Sequence, residues 1–67
     1  MILSLISTTK QPNGVIEIVV NIYSGSEFKT YTYFLDSEYI YEKFLFHYRA
    51  QRYGRAITIL NKMKVKG

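Results

Sequence analysis

No cysteine and no tryptophan occur among the 67 residues, and proline and histidine occur once each. Without cysteine there is no disulfide framework and no thiol chemistry. With a single histidine as well, the ligands that hold a structural zinc are missing. Glycine is sparse and scattered at Gly14, Gly25, Gly54 and Gly67, so no glycine-rich phosphate loop can be traced. No apolar run approaches the ~20 residues of a membrane span. The apolar start, MILSLIS, has neither a basic lead-in nor a small-residue cleavage site, and it is not read as a signal peptide. The expected compartment is therefore the cytoplasm, which the absence of cysteine also fits.

Acid is missing from one end of the chain. Residues 43–67 contain no aspartate or glutamate, but they hold His47 and seven basic residues, Lys43, Arg49, Arg52, Arg55, Lys62, Lys64 and Lys66. Residues 1–42 hold Lys10 and Lys29 against Glu17, Glu27, Asp36, Glu38 and Glu42. The two parts carry −3 and +7, and this asymmetry within a net charge of +4 is the strongest compositional pointer to a function.

What is present is apolar side chain in abundance. Hydrophobic residues make up 48% of the chain, too many for a disordered segment. Residues 1–67 are read as a single domain. A domain this small must offset roughly 1.5 kcal/mol of ordering entropy per residue with a thin core. With disulfides and metals excluded, association with a second copy is the remaining source of stability, so a homodimer is expected.

The patterning predicts an α+β domain. Residues 2–9 are β-branched and apolar, residues 15–23 alternate with Ile16, Ile18, Val20 and Ile22 on one face, and residues 28–35 form a third run. Turns fall at Gln11, Pro12, Asn13 and Gly14, and at Gly25 and Ser26. A two-residue hairpin at Gly25 and Ser26 pairs Tyr23 with Phe28, Val20 with Tyr31, Ile18 with Tyr33 and Ile16 with Leu35. A slip of one residue would scatter this apolar set over both faces. A four-residue first loop adds Leu3 and Leu5 to the same face, whereas a three-residue loop adds Ile2 and Ile6. The opposite face carries Val15, Val19, Tyr23, Phe28 and Phe34 among polar residues, more apolar surface than a solvated face needs.

After this three-stranded antiparallel meander, residues 36–54 read as one long amphipathic helix. Asp36 or Ser37 caps it, Glu38 lies in its first turn, and Gly54 ends it as a left-handed residue. Its core stripe is Ile40, Tyr41, Phe44, Leu45 and Tyr48. The segment from 55 to 65 fits a short second helix through Ala56, Ile59, Leu60 and Met63. It also fits an edge strand through Ile57, Ile59, Met63 and Val65. Residues 64–67 are expected to fray.

No catalytic residue, metal ligand or cofactor site emerges, and no small-molecule substrate or membrane partner. His47 sits alone at the edge of the helical stripe, and the acids at the helix start are explained by its dipole. The candidate nucleic-acid contacts are Arg49, Arg52, Arg55, Lys62 and Lys64 for phosphates, with Tyr53 and Tyr48 as stacking rings. A purely structural account has Arg49 and Arg52 complementing the helix C-terminus and the lysines keeping the protein in solution. Tyr39, Phe46 and Tyr53, spaced by seven, form a second stripe and a candidate dimer interface, unless the final segment folds back over it. Tyr31 and Tyr33 either stack on bases or lie beneath the helix, and the register favours the latter.

Several short motifs fall together. Ser24-Gly25 precedes Tyr31-Thr32-Tyr33, followed by Tyr41-Glu42-Lys43-Phe44-Leu45 and by Ala50 and Gly54 four residues apart. In these features residues 14–60 resemble the KTSC family, a short module found at the C-terminus of some lysyl-tRNA synthetases and as a stand-alone protein. The chain departs from that pattern at Leu35-Asp36, where the family has Val-Pro. It departs again at Ala56, Ile57 and Thr58, where the family has an aromatic residue and an asparagine. The resemblance implies an association with RNA and favours RNA over DNA as the polymer.

Overall fold

The computed structural model describes residues 2–62 and the backbone of residues 64–66. Strands β1 (Ile2–Lys10), β2 (Ile16–Ser24) and β3 (Glu27–Leu35) form the antiparallel meander. The β2–β3 register is the predicted one, from Ile16 opposite Leu35 to Tyr23 opposite Phe28. Gly25 takes the first central position of the hairpin at φ 65°, where a side chain would be strained. In the earlier turn Gly14 adopts φ 88°, and the Asn13 side-chain oxygen accepts a hydrogen bond from the Val15 amide at 3.0 Å.

The β1–β2 pairing combines two registers. Leu3 faces Ile22 and Leu5 faces Val20, as a four-residue loop requires, whereas Ser7 faces Val19 and Lys10 faces Ile16. The extra residue is absorbed as a β-bulge at Ile6, which leaves the ladder unpaired and its side chain exposed. The bulge keeps Leu3 on the same face as Ile16, Ile18, Val20, Tyr33 and Leu35, and all six are buried.

The predicted long helix is two helices. Helix α1 (Glu38–Arg49) starts as expected, with Ser37 as N-cap accepting from the Ile40 amide at 3.3 Å. It ends five residues early. The Gln51 amide donates to the Tyr48 carbonyl at 3.0 Å and the Arg52 amide to the His47 carbonyl at 2.9 Å, the paired bonds of a Schellman turn. The left-handed residue of that turn is Gln51, at φ 60°, and not Gly54. Helix α2 (Tyr53–Asn61) follows, with Gly54 inside its first turn.

The side chains give the reason for the break. Continued straight, the core stripe of Phe44 and Tyr48 would pass through positions 52 and 55, burying two arginines without partners. Turning at Gln51 puts Arg52 and Arg55 in solvent and brings Ala56 and Leu60 inward, where both are fully buried with Phe44 and Leu45. Burying a side chain the size of Phe44 contributes about 1.5–3 kcal/mol, so the core rests on both helices.

The helical alternative for the final segment holds through Asn61, and Ile57 and Ile59 lie in α2 instead of an edge strand. After α2, strand β4 (Lys64–Lys66) pairs antiparallel with β3, with Val65 opposite Tyr33, and completes a sheet ordered β1-β2-β3-β4. The fraying expected of residues 64–67 does not apply to β4; Met63 and Gly67 lie outside the described residues. Helix α1 lies along β1 and runs antiparallel to it. Lys10 meets Glu38 at 2.7 Å, Tyr41 donates to the Thr8 hydroxyl at 3.3 Å, and the Tyr48 hydroxyl accepts from the Leu5 amide at 3.0 Å. The result is a two-layer α+β domain with the helices on one face of the sheet.

Candidate nucleic-acid interface

Three basic residues gather where α1 gives way to α2, and a fourth lies at the far end of α2. Arg49 is the last residue of α1, Arg52 is the N-cap of α2, Arg55 lies in the first turn of α2 and Lys62 is its C-cap. All four are exposed. Of Lys64 only the backbone is described, in β4. The ion pair between Lys10 and Glu38 is at the opposite end of α1, and among the described residues it is the one salt bridge. No acid follows Glu42 in the sequence, so the corner keeps its full positive charge.

Arg49 suits its place, since cations stabilise a helix C-terminus. Arg52 stands between two helix ends, since its amide closes the C-terminal turn of α1 and it is also the N-cap of α2. As the N-cap of α2 it lies at the positive end of that helix's dipole, its side chain makes no capping hydrogen bond, and the first turn of α2 contains no acid. Arg55 shares the disadvantage. Local electrostatics of the fold therefore explain Arg49, act in opposite directions on Arg52, and disfavour Arg55. The sequence carried a sign of this arrangement: both arginines fall on the straight continuation of the α1 core stripe, where a buried helix does not place them.

The rings are distributed differently from the seven-residue spacing. Tyr53 belongs to α2, is half-buried, and packs against Tyr48 with ring centroids 6.1 Å apart. Tyr48 in turn stacks on Phe44 at 5.7 Å and an interplanar angle of 11°. The two rings named as stackers are thus engaged inside the protein. Tyr39 and Phe46 are 75% and 64% exposed, and the final helix does not cover them. Tyr33 is buried beneath the helices and Tyr31 is half-buried beside it, their centroids 6.2 Å apart. Tyr33 offers no open ring to a base, whereas Tyr31 lines a groove at the hairpin tip.

His47 is half-buried, with its ring edge-on to Phe46 at 5.3 Å, and Nδ1 has no hydrogen-bond partner among the described residues. Two other surfaces are open. Ile2, Tyr23 and Phe28 form a row across the three strands on the face away from the helices, with Ile2 and Phe28 exposed. At the tip of the β2–β3 hairpin a groove of about 500 Å³ is lined by Ile22, Glu27, Phe28, Lys29 and Tyr31, with Ser24 and Ser26. Among the described residues no group of three acidic or imidazole side chains is placed to hold a metal, and no helix is long and apolar enough to cross a membrane.

No protein-family model matches the chain, and no curated protein and no solved structure matches it either.

Proposed function

We propose that the protein is a non-enzymatic nucleic-acid-binding module acting through the corner between α1 and α2. The observation that carries this reading is the placement of Arg52 and Arg55. They are exposed, unpaired by any described carboxylate, and set at the N-terminal turn of α2, whose dipole disfavours cations and which contains no acid. A phosphate backbone supplies the missing counter-charge. With Arg49 the corner offers three cations, and Lys62 and Lys64 lie beyond it, at the C-terminal end of α2 and in β4. The resemblance to the KTSC family leans the same way and favours RNA, in a cytoplasmic setting.

Binding to a labelled oligonucleotide pool tests this. Four phosphate contacts give an affinity that falls by roughly three powers of ten for each tenfold rise in salt on a single strand. Replacing Arg49, Arg52 and Lys62 together removes most of that dependence. Undetectable binding at low salt, or binding indifferent to salt, rules the function out.

A second reading has a specific observation behind it. Exposure of Tyr39 and Phe46 on one helix, with Ile2 and Phe28 on the far side of the sheet, also fits a small homodimeric interaction or regulatory protein. A monomer in sedimentation at high micromolar concentration excludes it. A dimer dissociated by Phe46→Asp supports it.

A further inference from the structure

Cations attract single strands and duplexes alike, but aromatic rings standing in solvent do not. Tyr39 and Phe46 are seven residues apart on α1 and therefore share a face, roughly 20° apart around the axis at 100° per residue. Lys43 lies between them, one turn from each, and Arg49 follows Phe46 by three residues. All four side chains are exposed. Ring, cation, ring and cation thus alternate along one stripe, roughly 15 Å long at 1.5 Å per residue, which leads into the Arg52 and Arg55 corner. The Phe46 ring meets the His47 ring edge-on, at 76° between planes. Glu42 is exposed within the same stripe, one turn before Phe46 and roughly 20° from Arg49 around the axis, so it offsets one of the two cations there.

We propose that this face of α1 binds single-stranded nucleic acid, with bases stacked on Tyr39 and Phe46 and phosphates neutralised by Lys43 and Arg49. The inference rests on the nucleic-acid reading above and adds the polymer form and the residues that select it. Charge complementarity identifies the occupant. An anionic strand meets Lys43 and Arg49 with its phosphates and the two rings with the π-faces of its bases, which every base offers whatever the sequence. A duplex keeps those faces inside its own stack.

The test compares a labelled oligouridine with a hairpin duplex of the same length at low salt. The wild-type chain is expected to bind oligouridine at least tenfold more tightly than the duplex. Tyr39→Ala with Phe46→Ala should lose roughly tenfold or more per ring on oligouridine and leave duplex binding unchanged. Both rings are exposed, so the variant should keep its fold, checked by thermal melting. Phe46→Trp gives a readout that no structural role would move: it should keep the affinity, and its fluorescence should be quenched as oligouridine is added. Equal binding of the two probes with no effect of the double variant overturns the stacking surface and leaves the basic corner standing. Failure to bind either probe overturns both. A dimer split by Phe46→Asp assigns the face to a second copy and overturns the proposal.

Discussion

The hydroxyl of Tyr48 accepts a hydrogen bond from the Leu5 amide at 3.0 Å, beside the bulge of edge strand β1. A bulge interrupts the ladder and puts neighbouring amides at risk of going unpaired. Tyr48 supplies an acceptor there from α1, while its ring stacks on buried Phe44. One residue thus ties the irregular edge of the sheet to the centre of the core.

Tyr48→Phe keeps the ring stack and removes the acceptor. Losing the bond to a partly buried amide is expected to cost about 1–2 kcal/mol, read as a lower midpoint in urea unfolding with an unchanged slope. An unchanged midpoint would mean that water replaces the hydroxyl.

Arg52→Asp should separate folding from binding. Aspartate at the N-cap of α2 can accept from a first-turn amide and complements the dipole, so stability is expected to rise by about 1 kcal/mol. Nucleic-acid affinity should fall in the same variant. If stability falls together with affinity, Arg52 is in place for the fold.

Gln51→Gly is expected to stabilise the protein. At φ 60° Gln51 occupies the conformation that L side chains adopt with strain, and glycine relieves it at a gain of about 1 kcal/mol. Gln51 is exposed, so no packing is lost. A higher melting temperature is the expected result.

Leu60→Ala tests whether α2 belongs to the core. Leu60 is fully buried among side chains of both layers, and its truncation should cost about 2–5 kcal/mol. In a domain this small that is enough to unfold a large fraction of the chain at ambient temperature. A loss of less than 1 kcal/mol would mean that α2 is not part of the cooperative unit.

Alkaline pH should weaken the fold. Burial beneath the helices, and secondarily the charge of Tyr31, raise the Tyr33 hydroxyl above the ordinary tyrosine value near 10. The unfolded chain then gives up this proton first. The contribution of Tyr33 is constant below about pH 10 and falls as pH rises through that value towards the folded one. Lys10 behaves alike, raised by its hydrogen bond and charge contact with Glu38. That pair is present below the ordinary lysine value and is lost as pH climbs through the folded one. Tyr33→Phe should flatten part of this slope, followed by unfolding and by tyrosinate absorbance.

Local chemistry determined much of this protein by itself. Alternation in β2 and β3 and the Gly25 turn set the hairpin register, because a slip would turn Ile16, Ile18 and Val20 to solvent. Ser37 and the stripe through Phe44 and Leu45 set the start and buried face of α1 for equally local reasons. The charge asymmetry is likewise a property of the sequence. Tertiary structure decided the rest, through terms that depend on what lies opposite. The bulge at Ile6 reconciles a five-residue connection with burial of Leu3, which only the packed layer requires. The turn at Gln51 overrides a nearby glycine because Leu60 and Ala56 gain burial and Arg52 and Arg55 avoid it. That same turn carries Tyr53 away from the stripe it seemed to share with Tyr39 and Phe46. Spacing along a chain assigns side chains to a common face only while the helix continues, and burial of the following segment decides where it stops.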